Sequence, residues 1–288
     1  MSRSRFVVRA AAVAAAALAL SLTGCASGGS PAASGSATDG APSADAYVTP
    51  GKLTIGTGEP AYEPYVFDNA PESGEGFESA VAYAVADELG FAEEDVVWVR
   101  TTFESAIAPG PKDFDFNIQQ YTITEDREKA VDFSTPYYEA SQAIVAIKGG
   151  KADGVKDIAG AKGLLLGAMA GSTSATTVDE AIAPTTDPLL FNSNEDARAA
   201  LEAGQIDGLV LDLPTAYVAA NFYIEDAFLV GELPAAGVPD QWGLLLADKS
   251  PLTKSVTAAV DALREDGTLD ALEKEWLSVL SAGATQLK

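Results

Sequence analysis

The side chains able to do chemistry in this chain are defined first by what is missing. Its 288 residues contain no histidine and one cysteine, Cys25. Serine–histidine triads, histidine metal sites and any disulfide within the chain are therefore excluded. What remains is hydrogen bonding and charge. Arg127 carries a planar fork that can give two parallel hydrogen bonds to a carboxylate. On spacing alone it reads as a helix-surface arginine paired with Glu128 or Asp126. Gly171-Ser172-Thr173 turns into a helix, where backbone N–H groups suit an anion and where the hydroxyls would equally serve as caps. Asp212 stands before Leu213-Pro214 as a helix cap, with oxygen lone pairs left for other donors. Glu59 and Asp212 would be the carboxylates for any acid–base work. Glu93-Glu94-Asp95 and Glu125-Asp126 lack the spacing of a calcium loop and read as solvated charge, so no metal and no cofactor is expected.

These residues need elements to position them. Short β-type runs alternate with helical stretches from Gly51 onward, which argues for α/β architecture. Strands are predicted at 52–56, 95–99, 114–118, 143–147, 163–168, 206–211 and 243–247. Helices are predicted at 77–89 with Gly90 as stop, and at 195–203 with Asn194 as N-cap and Gly204 as stop. A further helix opens at Asp212-Leu213-Pro214. Two more are predicted from Ser250-Pro251 through Leu263 and, capped by Thr268, through Leu277. There is no internal repeat.

The N-terminal part reads as an address. Arg3, Arg5 and Arg9 precede an apolar run, Ala10 to Leu22, that is shorter than the about 20 residues a membrane span takes. It ends in Leu22-Thr23-Gly24-Cys25, which resembles a bacterial lipobox, so residues 1–24 are expected to be a lipoprotein signal peptide and Cys25 the lipidated residue. Residues 25–50 are expected to be a tether rich in Ser, Gly, Ala and Pro. The net charge is −24, from 42 acidic and 18 basic residues. A chain this acidic has no basic patch for nucleic acid.

From Leu53 to about Leu277 the chain resembles the family 3 solute-binding proteins of amino-acid ABC importers. The resemblance rests on several segments in order. Gly56-Thr57-Gly58-Glu59-Pro60-Ala61-Tyr62-Glu63-Pro64-Tyr65 is similar to the family's first loop, and Gly76-Phe77-Glu78 to its Gly-Phe-Asp start of the first helix. Thr122-Ile123-Thr124-Glu125-Asp126-Arg127 and Val131-Asp132-Phe133-Ser134-Thr135-Pro136-Tyr137-Tyr138 are the strongest matches. Ile206 to Asp212 and Asp266-Gly267-Thr268-Leu269-Asp270 complete the set.

The resemblance implies a two-lobed, periplasmic-binding-protein-like α/β fold of type II, with two crossover strands and a ligand cleft between the lobes. Lobe one is expected at 51–146 and 240–288, lobe two at 147–239. The implied function is the extracytoplasmic binding component of an importer: a monomer that captures a polar amino acid, serves a membrane ABC permease and meets the membrane only through its lipid. The resemblance assigns Arg127 to the ligand carboxylate, helped by Thr122, Ser172 and Thr173, and Asp212 to the ammonium. Tyr62 and Phe103 would be apolar walls, and Glu59 would face the ligand side chain. The segments Pro109 to Asn117 and Gln119-Gln120-Tyr121 depart from the family pattern. Those glutamines, Gln120 among them, would border the cleft and read a polar side chain. The alternatives on such a fold are a ligand-sensing lipoprotein uncoupled from transport and a dehydratase-like enzyme.

Overall fold

The computed structural model describes residues 42–235, 240–278 and 284–288. The expected signal peptide 1–24, Cys25 and the tether up to residue 41 lie outside the described residues. Defined structure is present before the expected start at Gly51. Ala44–Ala46 forms a 3-10 turn, Tyr47 packs edge-on against Phe91 at 5.0 Å, and the Val48 N–H donates to buried Asp115 at 2.8 Å. None of the described helices is long and apolar enough to cross a membrane.

Among the described residues ten strands form two sheets. They are β1 Leu53–Gly58, β2 Val96–Thr101, β3 Phe116–Asn117, β4 Val131–Ala140, β5 Gln142–Ile147, β6 Leu166–Met169, β7 Leu189–Phe191, β8 Gly208–Asp212, β9 Ala227–Glu232 and β10 Asp240–Ala247. The first sheet runs β2-β1-β3-β10-β4 and the second β7-β6-β8-β5-β9. The two-lobed α/β fold implied by the resemblance is the fold observed. In each sheet three parallel strands meet an antiparallel partner that arrives from elsewhere in the chain.

The sequence explains the placement. All six residues of β1 are buried, because it lies between two parallel strands with both faces covered. Helix α1, Phe77–Glu88, buries Phe77, Val81, Ala82 and Val85 at helical spacing against the first sheet. Gly76 before it has φ +107°, and a Cβ there would collide with the Tyr65 carbonyl. That close approach lets the Glu78 N–H reach Tyr65 O at 3.0 Å and aims the first turn at the lobe interior. The later helices are α2 Phe103–Ile107, α3 Ile158–Ala161, α4 Thr173–Thr177, α5 Asn194–Glu202, α6 Leu213–Val218, α7 Thr253–Glu265 and α8 Thr268–Trp276.

Several expectations are corrected. The N-cap of α5 is Ser193, whose hydroxyl accepts from Asp196 N, so Asn194 is the first helical residue. Gly267, not Thr268, is the N-cap of α8. Strand β5, expected in lobe one, pairs with β8 and β9, so the lobes part at Ser141 and not at 146/147. The run Val131 to Tyr138 is most of strand β4, which the spacing left without an element.

The largest correction is at the end of the chain, which was expected to stay in lobe one. Residues 284–288 lie on lobe two. Glu232 N donates to Thr285 O at 2.9 Å, Leu287 N to Glu232 O at 2.8 Å and Ile158 N to Lys288 O at 3.2 Å. Leu287 is 1% exposed within the lobe-two core. Gly231 makes the room, since a Cβ there would lie 2.7 Å from Leu287 Cγ. The segment so covers the edge of β9 that would otherwise be open to pairing. Leu287→Ala should cost lobe two about 2 kcal/mol or more. Hydrogen exchange checks it: the amides of Ile158 and Glu232 should exchange faster while those of β1 are unchanged.

Candidate functional site

The two lobes face each other across a cavity of 190 Å³. Pockets for drug-sized ligands run to about 300–1,000 Å³, so this one suits a small molecule. Thr57 to Tyr62, Phe103, Gln119, Gln120 and Arg127 line it from lobe one, and Ser172, Thr173 and Asp212 from lobe two. Every residue singled out as a ligand group from the sequence is therefore on its wall, apart from Thr122, which stands behind it. Besides Gln142 and Thr173, which both reach Asp240, three further contacts join the lobes. Arg127 Nη2 donates to Gly171 O at 3.1 Å, the Thr122 and Thr173 hydroxyls lie 3.2 Å apart, and those of Tyr65 and Thr215 lie 3.0 Å apart.

Lobe one contributes Arg127. It is not a helix-surface arginine paired with its acidic neighbours; Asp126 pairs instead with Lys129. Its Nη1 donates to Thr122 O at 2.8 Å, and its guanidinium carbon sits 5.2 Å from the centre of the Phe103 ring. That ring stacks on Tyr121 at 4.8 Å. Phe103 is thus both cleft wall and core, and holds the cation by its face. Burial pulls the guanidinium's pKa down, while Asp240, Tyr121 and Asp212 push it back up. The Arg127 fork still has N–H groups left beyond the two carbonyls it serves. Thr173 begins α4 beside it. Ser172 is the N-cap of that helix: its hydroxyl accepts from Ala175 N at 3.2 Å and donates to Met169 O at 2.7 Å. The Ser172 side chain is consequently occupied with capping.

Lobe two contributes Asp212, which closes β8. Its side chain makes no capping hydrogen bond to α6. It accepts instead from Gln142 Nε2 at 2.5 Å, and the same nitrogen donates to Asp240 at 2.5 Å. Asp240 also accepts a hydrogen bond from the Thr122 hydroxyl. Gln142 Oε1 accepts from Ser174 at 2.7 Å. Burial first and Asp240 second raise the Asp212 pKa well above the usual carboxylate range, against the Gln142 hydrogen bond. Two acids share one neutral amide here, so the place favours an incoming cation. Gln142 and Asp240 were not found from the sequence. Each opens the strand that follows a crossover, a position marked by no motif.

The remaining wall separates the two glutamines. Gln120 has φ +49°, and both its backbone N–H and its side-chain amide donate to Glu78. It does not offer that amide to the cleft. Glu78 is 1% exposed and also accepts from the Tyr137 hydroxyl at 2.5 Å. Burial pushes its pKa up to about 7 despite these three donors. Glu59, expected to face the ligand, is 55% exposed, with Arg100 Nε at 3.6 Å and Asn69 Nδ2 at 3.3 Å. Tyr62 lines the cleft as expected.

The raised pKa of Glu78 has a consequence for stability. Folding tightens its hold on a proton, from 4.5 to about 7. The stability this gives is fully present below 4.5 and is lost as the pH rises through about 7, an interval worth up to about 3 kcal/mol. Urea unfolding at pH 5 and pH 7.5 measures it. Glu78→Gln should show a smaller loss between the two than the unmodified protein, and an equal loss would refute the assignment.

Residues 53–279 match the family of bacterial extracellular solute-binding proteins, family 3. The glutamine-binding protein GlnH of an ABC transporter of Bacillus subtilis is 32% identical over 211 residues, covering 72% of this chain and 75% of that one. The L-arginine-binding protein of Pseudomonas aeruginosa is 26% identical over 234 residues, covering 76% and 86%. Among solved structures, an ancestral arginine-binding protein bound to glutamine superposes with a TM-score of 0.65 at 33% identity, over 79% of this chain and 98% of the other. With the fold, the interlobe cleft and this match in agreement, the chain belongs to the family 3 extracellular solute-binding proteins.

Proposed function

We propose that the protein is the extracytoplasmic binding component of an amino-acid ABC importer. The observation that carries this reading is that Arg127 from lobe one and Asp212 from lobe two line the same cleft, with Asp212 tied through the Gln142 amide to Asp240. A free amino acid presents a carboxylate and an ammonium at a fixed separation, and this arrangement meets both. In this reading Arg127 takes the carboxylate, with Thr173 and the first turn of α4 beside it. Asp212 takes the ammonium, and Tyr62 and Phe103 hold the side chain. Thr122 positions Arg127 through its carbonyl. Relatives named for glutamine and for arginine support the ligand class.

The reading extends to the N-terminal segment. The Leu22-Thr23-Gly24-Cys25 motif supports a lipid at Cys25 that anchors the protein on the outer face of the membrane beside its permease. Globomycin-sensitive processing and labelling by radioactive palmitate would check this directly. An unlabelled Cys25→Ala variant against a labelled parent is the expected result.

Binding itself is tested by thermal shift against the common amino acids. A ligand at 100 times its dissociation constant should stabilise the fold by about 2.7 kcal/mol. Arg127→Ala should lose about 2–5 kcal/mol of binding free energy while still unfolding cooperatively. Unchanged affinity in that variant would remove Arg127 from the site, and no shift with any amino acid would sink the proposed function.

A further inference from the structure

Gln119 differs from its neighbour in having an amide to spare. Its side chain lines the cleft, and its Oε1 accepts from the Tyr121 hydroxyl at 2.8 Å. Its Nε2 lies against Gly58, where a Cβ would be only 2.8 Å away. Glycine at 58 therefore lets the amide stand at the cavity surface. Among the described residues nothing accepts from that nitrogen.

The way the amide faces follows from the Tyr121 hydroxyl, which has one hydrogen to give and donates it to Gln119 Oε1. Burial raises the Tyr121 pKa strongly, which keeps its proton in place. With its carbonyl committed to Tyr121, Gln119 turns NH2 toward the ligand space.

We infer that Gln119 reads the ligand side chain as a hydrogen-bond donor, selecting an amino acid that ends in a neutral acceptor, a carboxamide, over one that ends in ammonium or guanidinium. This rests on the amino-acid reading of the cleft. A cationic side chain would bring N–H groups to the Gln119 N–H groups, donor against donor. A ligand carboxylate would meet Glu59, Glu104 and Glu195, which share the cavity wall. Two of the acids on that wall already have donors of their own: Glu59 has Arg100 and Asn69, and Glu78 has Gln120 and Tyr137. Tyr121 is a positioning residue, acting on the ligand through Gln119.

Titration calorimetry on the purified protein with glutamine, glutamate, arginine and lysine tests the assignment. Glutamine should bind at least tenfold tighter than the other three. Gln119→Leu should weaken glutamine binding tenfold or more. Gln119→Glu should reverse the order, so that arginine or lysine exceeds glutamine, and Tyr121→Phe should narrow the glutamine-to-arginine ratio. A melting curve for each variant establishes that it is folded. Arginine, lysine or glutamate binding the unmodified protein more tightly than glutamine would overturn the inference and leave the importer reading standing. So would unchanged glutamine affinity in Gln119→Leu. If the unmodified protein binds no amino acid at all, both readings fall together.

Discussion

A single buried carboxylate sets where the polar groups of the cleft stand. Glu78 sits in the first turn of α1, against the core of lobe one. Its two oxygens take both N–H groups of Gln120 and the Tyr137 hydroxyl. A non-glycine residue at φ +49° costs energy that a loop alone does not supply, and three donors on one buried acid can offset it. Fixing residue 120 fixes its neighbours. Gln119 on one side is turned to the cavity. On the other, Thr122 bridges to Trp242 of β10, and its carbonyl receives Arg127. A change at Glu78 would reach the rest of the cavity wall through Gln120 and its neighbours.

The second constraint lies where the chain passes between lobes. Gln142 opens β5 after one crossover, and Asp240 opens β10 after the other. Their side chains bond to each other and to Asp212, so the two passages and the lobe-two end of the cleft form one polar unit. An amide can satisfy two acids by hydrogen bonding but cannot neutralise them. Like charges held this close are costly, and here the cost is shared between the two lobes.

The fold was largely legible because its signals are local. Strands β1 and β8 are short apolar runs bounded by turn residues, and α5 and α7 show apolar residues at helical spacing. The failures were of two kinds. Strand β4 alternates Tyr, Pro and charged residues, and only its place at the sheet edge beside β10 makes it a strand. The docking of residues 284–288 on lobe two depends on Leu287 filling a gap above Gly231, and nothing short-range announces a glycine kept small for a residue more than fifty positions away. The same limit explains β5: the sequence shows a strand there but not which sheet it joins.

The site divides in the same way, and the adjacent glutamines show why. Arg127, Asp212 and Thr173 lie in segments whose family pattern carries their place, and the cavity contains all three. Gln119 and Gln120 are chemically identical and lie in a segment that departs from that pattern. Which of them offers its amide to the cavity is decided by their partners, distant Glu78 for Gln120 and Tyr121, two residues on, for Gln119. The positive φ at residue 120 then points the pair in different directions. Spacing cannot supply this, because the deciding acid lies 42 residues upstream on a helix. Where a family pattern breaks, the identity of a residue says what it can bond to. Only the packing around it says which bond has already been made and which is left for the ligand.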